Sequence, residues 1–167
     1  MKIVAIIQAR MGSTRLPGKM MLKVLDKPMI QYVFDRVKLS RLINEILLAT
    51  TVNSEDDVLE QWAGSNNEKL YRGSSEDVLD RYYQAALLTR AEAVVRITGD
   101  CPLIDPILID EVITVFLNGD YDYVCNTLPP TYPDGLDIEV FSFAALKKAW
   151  QEAKLKSERE HVTAYIW

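Results

Sequence analysis

The stretch Ile3–Val4–Ala5–Ile6–Ile7–Gln8–Ala9–Arg10–Met11–Gly12–Ser13–Thr14–Arg15–Leu16–Pro17–Gly18–Lys19 decides how the rest of the chain is read. Its first five residues are apolar and β-branched at Ile3, Val4, Ile6 and Ile7, which suits a strand buried on both faces of a parallel sheet. The run then breaks into a loop rich in glycine and cationic side chains. That loop leaves the strand at its carboxyl end, the edge where ligands bind in an open α/β sheet.

Charge supports the same location. Residues 1–27 hold Lys2, Arg10, Arg15, Lys19, Lys23 and Lys27 against Asp26 alone, a segment of +5 in a chain of net −5. An acidic chain argues against non-specific binding to a polynucleotide, whereas a local cationic loop matches a few phosphates on a small molecule. A solvated basic face would carry the same charges. The glycine and serine beside the arginines point instead to an anion site.

At 167 residues, 49% of them hydrophobic, the chain can form one compact domain with a real core. No apolar run approaches the ~20 residues needed to cross a bilayer, and no signal peptide is recognisable. A cytoplasmic protein without a membrane partner is expected. Cys101 and Cys125 make neither a disulfide framework nor a four-ligand zinc site.

Strand-like and helix-like segments alternate along the chain, which predicts a mostly parallel sheet with helices on both faces. Pro28 suits a first helical turn ahead of Ile30, Val33, Phe34 and Val37. Ile46–Ala49 reads as a buried strand, with Ser54 and Asp57 as a cap for the next helix. A strand near Lys69–Arg72 leads through Gly73–Ser74–Ser75–Glu76–Asp77 to Leu79, Tyr82, Tyr83, Ala86 and Leu87 at helical spacing. Ser74 and Asp77 serve either as a cap or as ligand contacts, and Arg81 lies near enough to that helix start to reach a ligand.

A further strand, Ala93–Ile97, opens into Thr98–Gly99–Asp100–Cys101–Pro102. Glycine lets the backbone pass close to a ligand while Asp100 presents a carboxylate over the sheet edge. Mg²⁺ needs only one or two carboxylates beside waters and phosphate oxygens, so Asp100 opposite the cationic loop suffices to start a metal-nucleotide site. Asp105 before Pro106 reads as a helix cap. Asp120–Tyr121–Asp122 has the shape of the acidic metal motif of many glycosyltransferases, with Tyr121–Val124 as a strand.

The strand Leu136–Phe141 alternates, placing Asp137 and Glu139 on one face. Ser142 opens another helix, and Ser157 with Glu160 reads as a capping box before the single histidine, His161.

These segments resemble one family over nearly the whole chain. Gln8–Lys19, Arg72–Gly73–Ser74, Arg96–Ile97–Thr98–Gly99–Asp100–Cys101–Pro102–Leu103, Tyr132–Asp137 and Glu160–His161–Val162 are similar to the cytidylyltransferase group that includes acylneuraminate and 3-deoxy-manno-octulosonate cytidylyltransferases. Within it the chain resembles the spore coat polysaccharide biosynthesis protein F type. The resemblance implies a Rossmann-like three-layer nucleotide-diphospho-sugar transferase fold, CTP and Mg²⁺ as ligands, and transfer of CMP to a sugar acid of nonulosonic type with release of pyrophosphate.

By that resemblance, Arg15 and Lys19 with Arg10, Met11, Gly12 and Ser13 would hold the triphosphate, Thr98 and Gly99 would also contact the nucleotide, and Asp100 would hold the metal. The base would lie over Ala9, Arg10, Ser74 and Arg81, and the sugar near Asp137, Glu139 and His161. The family continues past the equivalent of Trp167 with a subunit-contacting region and a second acidic metal ligand, so a single domain over 1–167 lacking that part is expected. Val162, Tyr165, Ile166 and Trp167 would then meet a partner surface, as in a homodimer. A glycosyltransferase using Asp120 and Asp122, and a nucleotide-binding module without turnover, are the alternative readings.

Overall fold

A computed structural model describes every residue from Met1 to Trp167. Six strands form one sheet: β1 (Ile3–Gln8), β4 (Glu45–Thr51), β5 (Lys69–Gly73), β6 (Ala93–Thr98), β7 (Tyr123–Cys125) and β8 (Glu139–Ser142). Their order is β5-β4-β1-β6-β8-β7. β4 and β6 flank β1 in parallel and β5 joins β4 in parallel, while β8 runs antiparallel between β6 and β7. A two-residue ribbon, β2 (Lys23–Val24) with β3 (Lys27–Pro28), stands apart after the cationic loop.

The opening strand shows why the sheet has this form. Ile3, Ala5 and Ile7 enter one core together with Ile30, Val33 and Phe34 of α1 (Met29–Val37), Leu59 and Trp62 of α2 (Asp57–Ser65) and Ile109 and Ile113 of α4 (Pro106–Asn118). Val4 and Ile6 enter the other, with Leu79 and Tyr82 of α3 (Val78–Thr89) and Leu146 and Ala149 of α5 (Phe143–Glu152). Five successive side chains with almost no exposure therefore feed two cores in alternation, as a central strand between two helical layers requires. The three-layer α/β class read from the sequence is the observed one.

Several local expectations need correction. Pro28 stands one residue before α1, in the β2–β3 ribbon, where its lack of an N–H is tolerated and its φ of −65° already suits the approach to a helix. Ser54 is not a side-chain cap: it opens a short 3₁₀ turn, and Asp56, two residues on, is drawn inward. The last strand begins at Glu139 rather than Leu136, because the Asn126 side chain takes the carbonyl of Leu136 and the N–H of Ile138, both at 2.8 Å, as loop bonds. β7 likewise starts at Tyr123. Leu87 is exposed.

At the far end, α6 (Lys156–Glu160) is preceded by Leu155, not Ser157; Glu158 reaches back to the N–H groups of Lys154 and Leu155, each at 2.9 Å. Val162 is fully buried, and Tyr165 and Ile166 pack against the α3/α5 core. Val162 is thus covered by its own chain, Tyr165 and Ile166 are covered in part, and Trp167 remains 66% exposed. No helix is long and apolar enough to cross a membrane.

Candidate functional site

The cationic loop is built by hydrogen bonds that its sequence does not advertise. The Met11 carbonyl accepts the N–H of Ser13 at 2.8 Å and of Gly18 at 3.1 Å, closing the turn on itself. Gly18 there has φ +72°, a conformation that glycine adopts without strain. The Met11 N–H donates to Asp56 Oδ1 at 2.6 Å, while Asp56 Oδ2 accepts the Thr51 hydroxyl and N–H. One buried carboxylate thus ties the loop to the end of β4.

The second strand end meets the first at Gly99. Its N–H bonds the Gln8 carbonyl at 2.8 Å, and a Cβ there would lie 2.9 Å from that of Ala9 and 3.1 Å from the Gln8 oxygen. Only glycine lets the two loops approach so closely. Just beyond it, Lys19 Nζ lies 2.5 Å from Asp100 Oδ2. Partial burial pushes the Asp100 carboxyl up, but the Lys19 ammonium and the Thr98 hydroxyl outweigh it and hold it below the usual carboxylate range.

Between these loops lies a cavity of about 470 Å³. Ala9, Arg10, Gly12, Ser13, Arg15 and Lys19 line one side, Thr98 and Asp100 the floor, and Arg81 and His161 the opposite wall. None of the chain's ion pairs includes Arg10, Arg15, Arg81 or Lys156, so the cavity is anion-seeking. Burial works against the charge on Arg81, which is 2% exposed, and a desolvated cation gains from an anionic or polar ligand. Gln8 Oε1, Arg81 Nε and Arg96 Nε are buried without a partner, and all three residues line the cavity. Unsatisfied polar atoms grouped around one space point to a ligand that completes them.

The remaining expected residues do not line it. Met11 and Gly99 shape the loops from behind. Ser74 Oγ accepts the N–H groups of Glu76 and Asp77, and its carbonyl takes Arg81 Nη1 at 2.7 Å, so it forms the turn before α3. Glu139 is buried in a network with Arg96, Tyr123 (2.7 Å) and Thr163 (2.7 Å), which leaves no carboxylate oxygen for a sugar. Asp137, half-buried, has its carboxyl pushed up by burial and by Asp134 and Glu139. The Asp120–Asp122 pair lies elsewhere: Ser142, which bonds Asp122 at 2.7 Å, pairs with Ala93 at the start of β6, the sheet edge opposite Thr98.

Of the wall opposite the loop, Arg81 and His161 were expected from sequence, whereas Lys156 and Glu160 were not. Lys156, Glu160 and His161 reach the cavity from α6, which Arg159 pins to the N-cap of α3 through Asp77 at 2.6 Å and to the Trp150 carbonyl at 2.8 Å. Lys156 and Glu160 share a helix face at i, i+4, but nothing in their spacing says what that face meets. Gln8, Glu76 and Arg96 were also unassigned.

An α/β domain with a cationic cleft at the carboxyl ends of its parallel strands has the layout of the nucleotide-binding folds. Residues 4–167 match the family model described as "Cytidylyltransferase", and the chain belongs to that family of CTP-dependent nucleotidyltransferases. The spore coat polysaccharide biosynthesis protein SpsF of Bacillus subtilis is 34% identical over 98% of this chain and 69% of its own length. A 3-deoxy-manno-octulosonate cytidylyltransferase of Geobacter metallireducens is 36% identical over 68% of this chain and 44% of its own length. A solved cytidylyltransferase from Leptospira borgpetersenii superposes with a TM-score of 0.94 at 38% identity, covering 99% of this chain and 71% of that one.

Proposed function

We propose that the chain transfers CMP from CTP to a sugar acid of nonulosonic type, releasing pyrophosphate, in the assembly of a surface polysaccharide. The observation that carries this reading is the meeting, in one cavity, of three arginines without carboxylate partners, Arg10, Arg15 and Arg81, and the Asp100 carboxylate. The names of the relatives supply the chemical class of the acceptor.

In this reading the N–H groups near Gly12 and Ser13 and the side chains of Arg10, Arg15 and Lys19 receive the triphosphate. Arg15 can fork across two phosphate oxygens, and Lys19 acts as a point charge. Ala9 and Arg81 flank the base, and the acceptor sugar lies toward His161. An acceptor hydroxyl oxygen forms a bond to the α-phosphorus as the bond to pyrophosphate breaks, and that hydroxyl loses its proton. Positioning and charge stabilisation of the leaving pyrophosphate carry the rate, with no covalent nucleophile.

A divalent cation fits the donor set. No three His, Cys, Asp or Glu side chains converge to cage a metal, and Mg²⁺ is commonly held by one carboxylate together with waters and phosphate oxygens. Asp100 would hold it, and it would neutralise charge on the reacting phosphates when bound. The test is pyrophosphate release from CTP and Mg²⁺ against a panel of sugar acids and neutral sugars. Release that requires a sugar acid, and that Arg15→Ala reduces by at least about tenfold, supports the reading; indifference to every sugar acid overturns it.

A further inference from the structure

We propose that Lys19 closes the metal position at Asp100 until a triphosphate draws it away, so that the divalent cation binds only together with nucleotide. The inference rests on the assignment of Asp100 to the metal and adds an order and a coupling to it.

The ammonium of Lys19 sits 2.5 Å from Asp100 Oδ2, against the carboxylate that a divalent cation would compete for. The two side chains are 18% and 39% exposed, so the pair is partly screened and can be exchanged rather than locked. The backbone beneath Lys19 is fixed. Gly18 N–H bonds the Met11 carbonyl, Lys19 N–H bonds the Leu16 carbonyl at 3.3 Å, and Met20 is buried in the core. Exchange therefore involves only the flexible four-carbon stem of the lysine.

The surrounding charges supply the direction. Arg10 and Arg15 face the same cavity without carboxylate partners, so an incoming triphosphate is attracted before Lys19 moves. Once seated, it offers Lys19 several anionic oxygens in place of one. Asp100 is then released beside the phosphates, and the metal gains both ligand types at once. Before that exchange the same position carries the ammonium of Lys19. By linkage, nucleotide and metal must each strengthen the binding of the other.

The experiment measures Mn²⁺ affinity of the full chain by the electron paramagnetic resonance signal of free Mn²⁺, with and without a non-hydrolysable CTP analogue. Without nucleotide, Lys19→Met is expected to tighten Mn²⁺ binding by about fivefold, the scale of a partly exposed ion pair. Lys19→Arg keeps the closing cation and is expected to stay within about twofold of the parent. Arg15→Met removes an equal charge that does not touch Asp100 and is also expected to change affinity by less than about twofold. Adding Asp100→Asn to Lys19→Met is expected to abolish the gain.

With the analogue present, the parent should bind Mn²⁺ more tightly, and the enhancement should shrink in Lys19→Met. Unchanged or weaker nucleotide-free affinity in Lys19→Met, an equal gain in Arg15→Met, or a gain that survives Asp100→Asn overturns the proposal. Failure to transfer CMP to any sugar acid would overturn the proposed function without moving these affinities, so the two ideas fail separately.

Discussion

The two sides of the cavity are made in different ways. The cationic side, Ala9 to Lys19, is one continuous stretch held largely by its own backbone, with Met11 bonding Ser13 and Gly18. The opposite wall is assembled from distant pieces: α6 is pinned by an ion pair between Arg159 and Asp77, 82 residues apart, and Arg96 on the floor is held by Glu139, 43 residues away. A loop that closes on itself can be recognised as a local pattern. A wall made of long-range charge pairs exists only once the fold has brought them together.

That contrast makes substitutions in the assembled wall cost stability first, and substitutions in the loop cost binding first. The largest effect is expected at Glu139. Glu139→Ala leaves the Arg96 guanidinium without its anion and frees the Tyr123 and Thr163 hydroxyls, and should cost about 3–5 kcal/mol in urea denaturation. Glu139→Gln keeps the volume and an acceptor oxygen and should cost less.

Asp56 is the point where the self-contained loop depends on the rest of the fold. Asp56→Ala strips partners from the Met11 N–H and from Thr51, and should cost about 2–3 kcal/mol. Calorimetry should also show weakened CTP binding, because the loop loses its anchor. A variant that loses stability but binds CTP with unchanged affinity would show that the loop holds its shape alone.

Gly99→Ala is expected next, at about 1–3 kcal/mol, because its Cβ would meet Ala9 Cβ at 2.9 Å and Ile30 Cδ1 at 3.2 Å. A thermal melt measures the loss, and a smaller one would mean that the two loops can part. Arg159→Ala should cost the least, about 1 kcal/mol, since Arg159 and Asp77 are 22% and 34% exposed. Hydrogen exchange should nonetheless quicken across residues 155–162. CTP binding should change little while turnover with acceptor falls, and equal losses in both would break the division between the two sides.

The elements that could be read from sequence are those with a local signature. Ile3–Ile7 is apolar without interruption, so it had to lie in the middle of the sheet, and Asp105 before Pro106 had to cap a helix; its carboxylate bonds Ile107 N–H at 2.7 Å. Residues with two chemically acceptable fates were less legible. Glu139 alternates with apolar neighbours as a ligand-facing acid would, yet it is buried as the counter-ion of Arg96. Asp120 and Asp122 match a metal motif but fall on the edge of the sheet away from the cavity.

By itself, then, the sequence determined the layered α/β fold, the strand that anchors it and the cationic loop at that strand's carboxyl end. Each of these follows from residues within one turn or one strand of each other, where hydrophobic periodicity, glycine conformations and fixed charges act directly. The tertiary structure alone decided which carboxylate faces the cavity and which is a buried counter-ion, which helix faces the loop, and that Lys19 rests on Asp100. Those outcomes depend on which charges are desolvated together, and burial is set by packing across the whole chain rather than by spacing along it.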